Sequence, residues 1–325
     1  TNSGQDIMLS DNNGELIHGL SYDKSWYHDE ERSEGGWSME MINPYNPCLT
    51  NENWFASSHV KGGSPGGKNT VYDEVFPPPN IIKCCVLDSL RINIMFNQSM
   101  NIDPESKIFK LDHGLGAMKE VLPDDQYHTS FILFPSSPLL NNIIYTLDCQ
   151  GELMNCIGNS FYISENISIG LPEMPAYNDI IINEVLFNPF PGGEDYVEIY
   201  NRSEKPILAS NLILASVREN PPSPPDTSFI QLNSLCNVIM PGEYVLLSKV
   251  FNKIDNYYDC SSTEKYIEMG SFPSYSNEKG TVLLLDGAHT VIDEFSYHED
   301  MQHPLLNHIE GVSFCLLYTS PSPRD

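Results

Sequence analysis

Residues 8–39 align without a gap on residues 283–314, 275 positions further along the chain. Identities fall at Asp11/Asp286, Ile17/Ile292, Ser21/Ser296, Tyr22/Tyr297, His28/His303, Gly36/Gly311 and Ser38/Ser313. Apolar character also matches at Met8/Leu283, Leu9/Leu284, Leu16/Val291, Leu20/Phe295, Trp37/Val312 and Met39/Phe314. A repeat constrains folding because the unit built by one copy has to suit the other. Each copy has the pattern of a β-hairpin. In the later copy an apolar run (281–285) meets a turn at Asp286-Gly287, and Val291, Asp293, Phe295 and Tyr297 alternate on the return. In the earlier copy the turn is Asp11-Asn12-Asn13-Gly14, followed by Leu16, His18, Leu20 and Tyr22 in alternation. The chain is therefore expected to open inside one β-domain and to close inside a second of the same kind.

The intervening sequence is also strand-like. A chain of 325 residues suits two or three domains, and 40% apolar with 10% aromatic residues is enough for real cores. With 24 Pro and 21 Gly, strands and turns are favoured over helices. After Pro77-Pro78-Pro79 come short apolar runs at 82–86, 90–96, 107–111, 131–134 and 143–147, at the spacing of a β-sandwich. Glu173-Met174-Pro175-Ala176-Tyr177 reads as a linker. Strands are then expected at 180–186, 195–201, 212–216, 229–232 and 243–248. The proline-rich stretch 219–228 reads as a surface loop, since Pro has no N–H for a ladder. The expected division is 1–70, 71–172 and 173–314. The expected fold class is all-β, as tandem Ig-like β-sandwiches. No run of 18 apolar residues occurs, so no membrane-spanning helix is expected.

Charge narrows the partners. Forty-four acidic against 17 basic residues give a net charge of −27. Such a surface repels phosphate backbones and anionic membranes, which argues against nucleic acid as a partner. It suits solubility in a salty exterior and attraction of cations. None of the eight cysteines has CxxC spacing, so a zinc ribbon or dithiol motif is unsupported. Cys236 with Cys260, and Cys149 with Cys156, each share one expected domain and are candidate disulfides in an oxidising compartment, buried thiols being the plain alternative.

Few residues suggest chemistry. Glu184, Asp195 and Glu198 are close in sequence and form a calcium or acid–base candidate, set against a purely structural role. Asp11-Asn12-Asn13-Gly14-Glu15 lacks the full twelve-residue calcium series and reads as a turn. His298, His303 and His308 recur every five residues, which does not place two ligands on one helix face. Trp26, Trp37 and Trp54 offer either core packing or a contact platform for sugar or protein. No Gly-x-Ser-x-Gly, His-Glu-x-x-His or phosphate loop occurs, so no enzyme activity and no cofactor other than calcium is expected.

Two family resemblances follow. Ile181-Ile182-Asn183-Glu184-Val185-Leu186 with Asp195-Tyr196-Val197-Glu198-Ile199-Tyr200-Asn201 resembles the opening of the bacterial lamin-tail domain. Met240-Pro241-Gly242-Glu243-Tyr244-Val245-Leu246-Leu247 resembles a later strand of it. Gly36-Trp37-Ser38-Met39-Glu40, Asn53-Trp54 and Gly63-Ser64-Pro65-Gly66 resemble its close. The middle unit resembles a bacterial Ig-like domain at Leu90 to Met100 and at Cys156-Ile157-Gly158-Asn159, with Asn155 standing where Asp is common. These resemblances imply β-sandwich modules of a large secreted or cell-surface protein, of a kind most similar to Bacteroidota surface proteins. Implied partners are protein or carbohydrate at the cell surface and neighbouring domains of the same chain. The alternative is that they are accessory domains of a secreted nuclease, protease or phosphoesterase. Residues 315–325 match, codon by codon, one reading frame of a common transposase sequencing adapter and are expected to be non-native. On that reading the first lamin-tail-like copy lacks its opening strands and the second its close.

Overall fold

The computed structural model describes residues 4–315 apart from 15, 75, 219–223, 233–235, 259–264, 304 and 307, and omits the side chain of residue 16. The described chain is all-β, with only short helical turns such as Glu30–Ser33 and Phe251–Asp255. It forms two compact units, one of Thr1–Leu139 with Tyr145–Ile169, the other of Leu140–Ile144 with Gly170–Asp325. Residues 1–70 thus share a unit with the β-domain that follows them.

The first unit contains a sandwich. Glu120–Pro123, Ser130–Phe134, Arg91–Phe96 and Ile81–Asp88 form one sheet in that order. Ser160–Gly170, Ile144–Asn155, Phe109–Leu111 and Gly116–Ala117 form the other, with Met100–Asn101 also paired to Ile144–Asn155. Alternation sets the core: Ile92, Ile94 and Phe96 from one strand, with Phe131, Leu133, Phe109 and Leu147, are all but fully buried. Phe96 and Phe131 meet edge to face, 6.1 Å between ring centres. Each such side chain contributes about 2–3 kcal/mol by leaving water.

The second unit is a two-sheet sandwich around one core. Tyr266–Glu268, Tyr244–Ser248, Tyr196–Asn201, Ile180–Leu186 and Phe314–Cys315 make one sheet. Asp226–Gln231, Leu212–Arg218, Lys279–Asp286 and Val291–His298 make the other. Ile180, Ile182, Val197, Ile199, Val245 and Leu247 face Leu212, Leu214, Val282, Leu284 and Ile292 across the core.

The structure alters two sequence expectations. The stretch 219–228 is not loop throughout, because Asp226–Gln231 is a strand, paired through Arg218↔Asp226 and Ser216↔Ser228. Pro225 is the last residue there without an N–H, so pairing starts immediately after it. The expected strand 143–147 runs on to Asn155. Polar Asp148, Gln150 and Glu152 alternate with Cys149, Leu153 and Asn155, which are buried.

The repeat holds in three dimensions. Gly4–Ser10 pairs with Leu16–Asp23, with Ile7↔Leu20, Leu9↔His18 and a bulge between Leu9 and Ser10. At equivalent places Val282 pairs with Phe295, Leu284 with Asp293, and a bulge falls between Leu284 and Leu285. A 3-10 turn follows each hairpin, capped by Asp23 on the Ser25 N–H and by His298 on the Asp300 N–H. Tyr27 Oη then donates to Trp37 O at 3.1 Å, and Gln302 Nε2 to Val312 O at 3.0 Å. Gly36 and Gly311 both sit at positive φ, 81° and 73°.

Candidate functional site

Strand geometry separates the three candidate carboxylates. Within Tyr196–Asn201, Val197 and Ile199 point into the core, so Glu198 points outward. Glu184 stands opposite Glu198, after a bulge in Ile180–Leu186 that turns it to the same outer face. Asp195 has the parity of Val197, so it lies on the inner side near Tyr275 and Tyr297. The proposed calcium set of Glu184, Asp195 and Glu198 therefore does not converge. Among the described residues no group of three or more His, Cys, Asp or Glu side chains forms a metal-holding arrangement.

Each carboxylate has its own structural partners. Glu184 accepts from Tyr196 Oη at 2.5 Å and from Ser313 Oγ. Asn183 Nδ2 donates to Glu198 at 2.6 Å. Burial raises the Glu198 carboxyl above its ordinary value, against the Asn183 bond, and Glu184 adds to the rise. Burial, and then neighbouring Glu194, push Asp195 up to about 7. The Tyr275 backbone N–H and Arg218 oppose that shift. Ser248 Oγ donates to the Asp195 backbone carbonyl at 2.9 Å, and Tyr297 Oη donates to Ser276 O at 2.7 Å.

The cysteines pair differently from one expectation. Cys156 bonds to Cys48, 108 residues away, rather than to Cys149. Cys149 is an unpaired thiol on the inner face of Ile144–Asn155, with no exposure. It alternates with outward Asp148 and Gln150, whereas Cys156 lies past the end of the strand in the turn. Burial raises the Cys149 thiol, and carries that of Cys84 up to about 12, so neither is a reactive thiolate. Cys236 is disulfide-bonded, and Cys260 lies outside the described residues.

Residues 36–70 form a polar lock in the first unit. Met39–Met41 pairs with Trp54–Ala56. Buried Glu40 accepts from Ser64 Oγ at 2.6 Å, Thr70 N–H at 2.7 Å and Thr70 Oγ1 at 2.8 Å. Desolvation acts to raise the Glu40 carboxyl, but the bonds from Ser64, Thr70 and Ser57 outweigh it and hold the value at about 2. Buried Asn53 donates to Asn43 O and Asn46 O, each at 3.0 Å, and accepts from the Asn43 N–H at 2.7 Å. Gly62, at φ 83°, lies where a Cβ would stand 2.0 Å from Gly36 O.

Beside the disulfide lies a cavity of about 600 Å³ that sequence reading did not anticipate. Its wall combines Ile17 to Ser21 of the first hairpin, Trp26, Trp54, residues 47–50, residues 126–129 and Cys156. Trp26 is buried and Trp54 half-buried, and both line this cavity. Trp37 carries the Arg32 guanidinium 4.8 Å above its ring. His18 Nε2 and Tyr127 Oη are buried with no hydrogen-bond partner. The cavity was not legible because the Cys48–Cys156 link brings together segments far apart in sequence. His298 and His303 serve their own turns, accepting from Asp300 N–H at 3.2 Å and Leu305 N–H at 3.3 Å.

No family model matches the chain, and no curated protein does. Among solved structures it is similar to the N-terminal part of the bacterial S-layer protein SbsC, at 12% identity and a TM-score of 0.27. That likeness covers 68% of this chain and 44% of the other, so the chain spans less than half of that protein's length. It is also similar to native alpha-2-macroglobulin from Escherichia coli spanning domains MG0-NIE-MG1, at 12% identity and a TM-score of 0.24, over 73% of this chain and 90% of that one. At such low TM-scores neither likeness fixes this chain's role.

Proposed function

We propose that this chain is a run of non-catalytic, lamin-tail-like and Ig-like β-sandwich modules of a secreted or cell-surface bacterial protein, serving as structural or adhesive spacers. The Cys48–Cys156 disulfide carries this reading, since such bonds persist in oxidising compartments and are rare in the cytosol. A net charge of −27 agrees with it, as does the use of the polar clusters to hold loops and strands together. Two tests address it. An antibody raised against the chain should label intact, unpermeabilised cells of the source organism, and labelling only after permeabilisation would refute the location. The purified chain should turn over no ester, phosphoester, peptide or glycoside substrate. Turnover lost in Asp195→Asn would refute the non-catalytic role.

A further inference from the structure

The cavity beside the Cys48–Cys156 link has the size and the lining of a ligand site. Its volume of about 600 Å³ falls within the range of about 300–1,000 Å³ typical of small-molecule sites. In a chain where 19% of residues are charged, its wall carries no Asp, Glu, Lys or Arg among the described residues. Such a wall has no charge to pair with a phosphate, a carboxylate or an ammonium group, and burying one of these unpaired is costly. The molecule that fits is therefore uncharged.

The lining is also graded. Trp26, Cys48 and Leu49 are buried and set an apolar inner end, with half-buried Trp54 as a second indole. Ser21, Gln126 and His128 are exposed and set a polar outer end. Two other wall hydroxyls are already committed: Thr50 Oγ1 donates to Asn97 O at 2.9 Å, and Ser99 Oγ to Tyr127 O at 2.6 Å. The Ser21 and Gln126 side chains make no hydrogen bond among the described residues and remain available. His18 Nε2 and Tyr127 Oη, on two further wall residues, are shielded from water and have no partner. A turn of either side chain towards the open space would give it one. An indole offers a flat apolar contact, and a rim of donors and acceptors reads hydroxyls. A pyranose ring has both counterparts, a face of C–H groups and a periphery of uncharged hydroxyls.

We propose that this cavity is a binding site for a neutral saccharide, whose ring face lies on Trp54 and whose hydroxyls bond to Ser21, Gln126 and His128. Every wall residue belongs to the first unit, so the site is complete within it. The inference goes beyond the structural role proposed above, and a failure to bind sugar would leave that role standing.

The test titrates the oxidised full chain with cellotriose, maltotriose, mannotriose and N-acetylchitotriose, read by calorimetry and tryptophan emission. At least one binds with a Kd below about 1 mM and perturbs the emission. Trigalacturonate, a charged trisaccharide of similar size, binds at least about tenfold more weakly than that sugar. Trp54→Ala weakens the bound sugar at least about tenfold, and Gln126→Ala at least about threefold. Gln126 is exposed, so its replacement keeps the fold, which an unchanged urea midpoint verifies. Binding by none of the four neutral sugars would overturn the proposal. So would trigalacturonate binding as tightly as they do, or a sugar affinity that Gln126→Ala leaves unchanged.

Discussion

Two carboxylates pull stability in opposite directions with pH. Glu40 is held at about 2 by its hydroxyl and amide donors. A carboxyl lowered on folding adds stability that is present above its unfolded value near 4.5 and is lost as pH falls towards 2. Glu40→Gln should therefore lower the stability of the first unit at pH 7 by about 2 kcal/mol, with the gap narrowing below pH 4.5. Asp195 is the reverse case, raised from 3.8 to about 7. It binds its proton more tightly when folded, so it penalises folding fully above pH 7, and the penalty disappears as pH falls to about 4. Asp195→Asn should be more stable than the parent above pH 7, by about 1–3 kcal/mol, and indistinguishable from it near pH 4. Urea titrations across pH measure both, and a parent that gains stability over Asp195→Asn as pH rises would refute the second.

At the level of elements, the cross-link between Cys48 and Cys156 closes 108 residues of chain. Loop-closure entropy then assigns it about 3–5 kcal/mol. Cys48→Ser with Cys156→Ser should lower the urea midpoint of the first unit accordingly, and an unchanged midpoint would show that the bond constrains little. The strands themselves were readable, because Ile92 and Ile94 alternate around Asn93, and Val197 and Ile199 around Glu198. The hairpin repeat was readable to the residue, since Asp11, Tyr22 and Gly36 recur as Asp286, Tyr297 and Gly311, where the second unit has a turn, a buried ring and left-handed backbone. The disulfide partner of Cys156 was not, because sequence proximity to Cys149 says nothing about which side of a strand a thiol faces. The separation of the calcium candidates was hidden for the same reason: Asp195 and Glu198 are three residues apart, so their side chains lie on opposite faces of the sheet. The cavity and its unpartnered His18 and Tyr127 depend on tertiary contacts between distant segments, which no local pattern encodes.

For the whole molecule, a net charge of −27 dominates long-range behaviour. It should keep the chain from binding duplex DNA at about 0.15 M salt, where the Debye length is about 8 Å. Fluorescence anisotropy with a labelled duplex checks this, and micromolar binding would expose a basic surface that the composition does not suggest. The claim that most needs testing is that the natural protein works, as an oxidised β-module, outside the cytosol. The direct measurement is a non-reducing peptide map of the protein isolated from its native source with thiols alkylated at harvest. The account predicts a cross-linked peptide pair joining Cys48 to Cys156, with Cys149 alkylated only after unfolding. Alkylated Cys48 and Cys156, or a Cys149–Cys156 link, would contradict it.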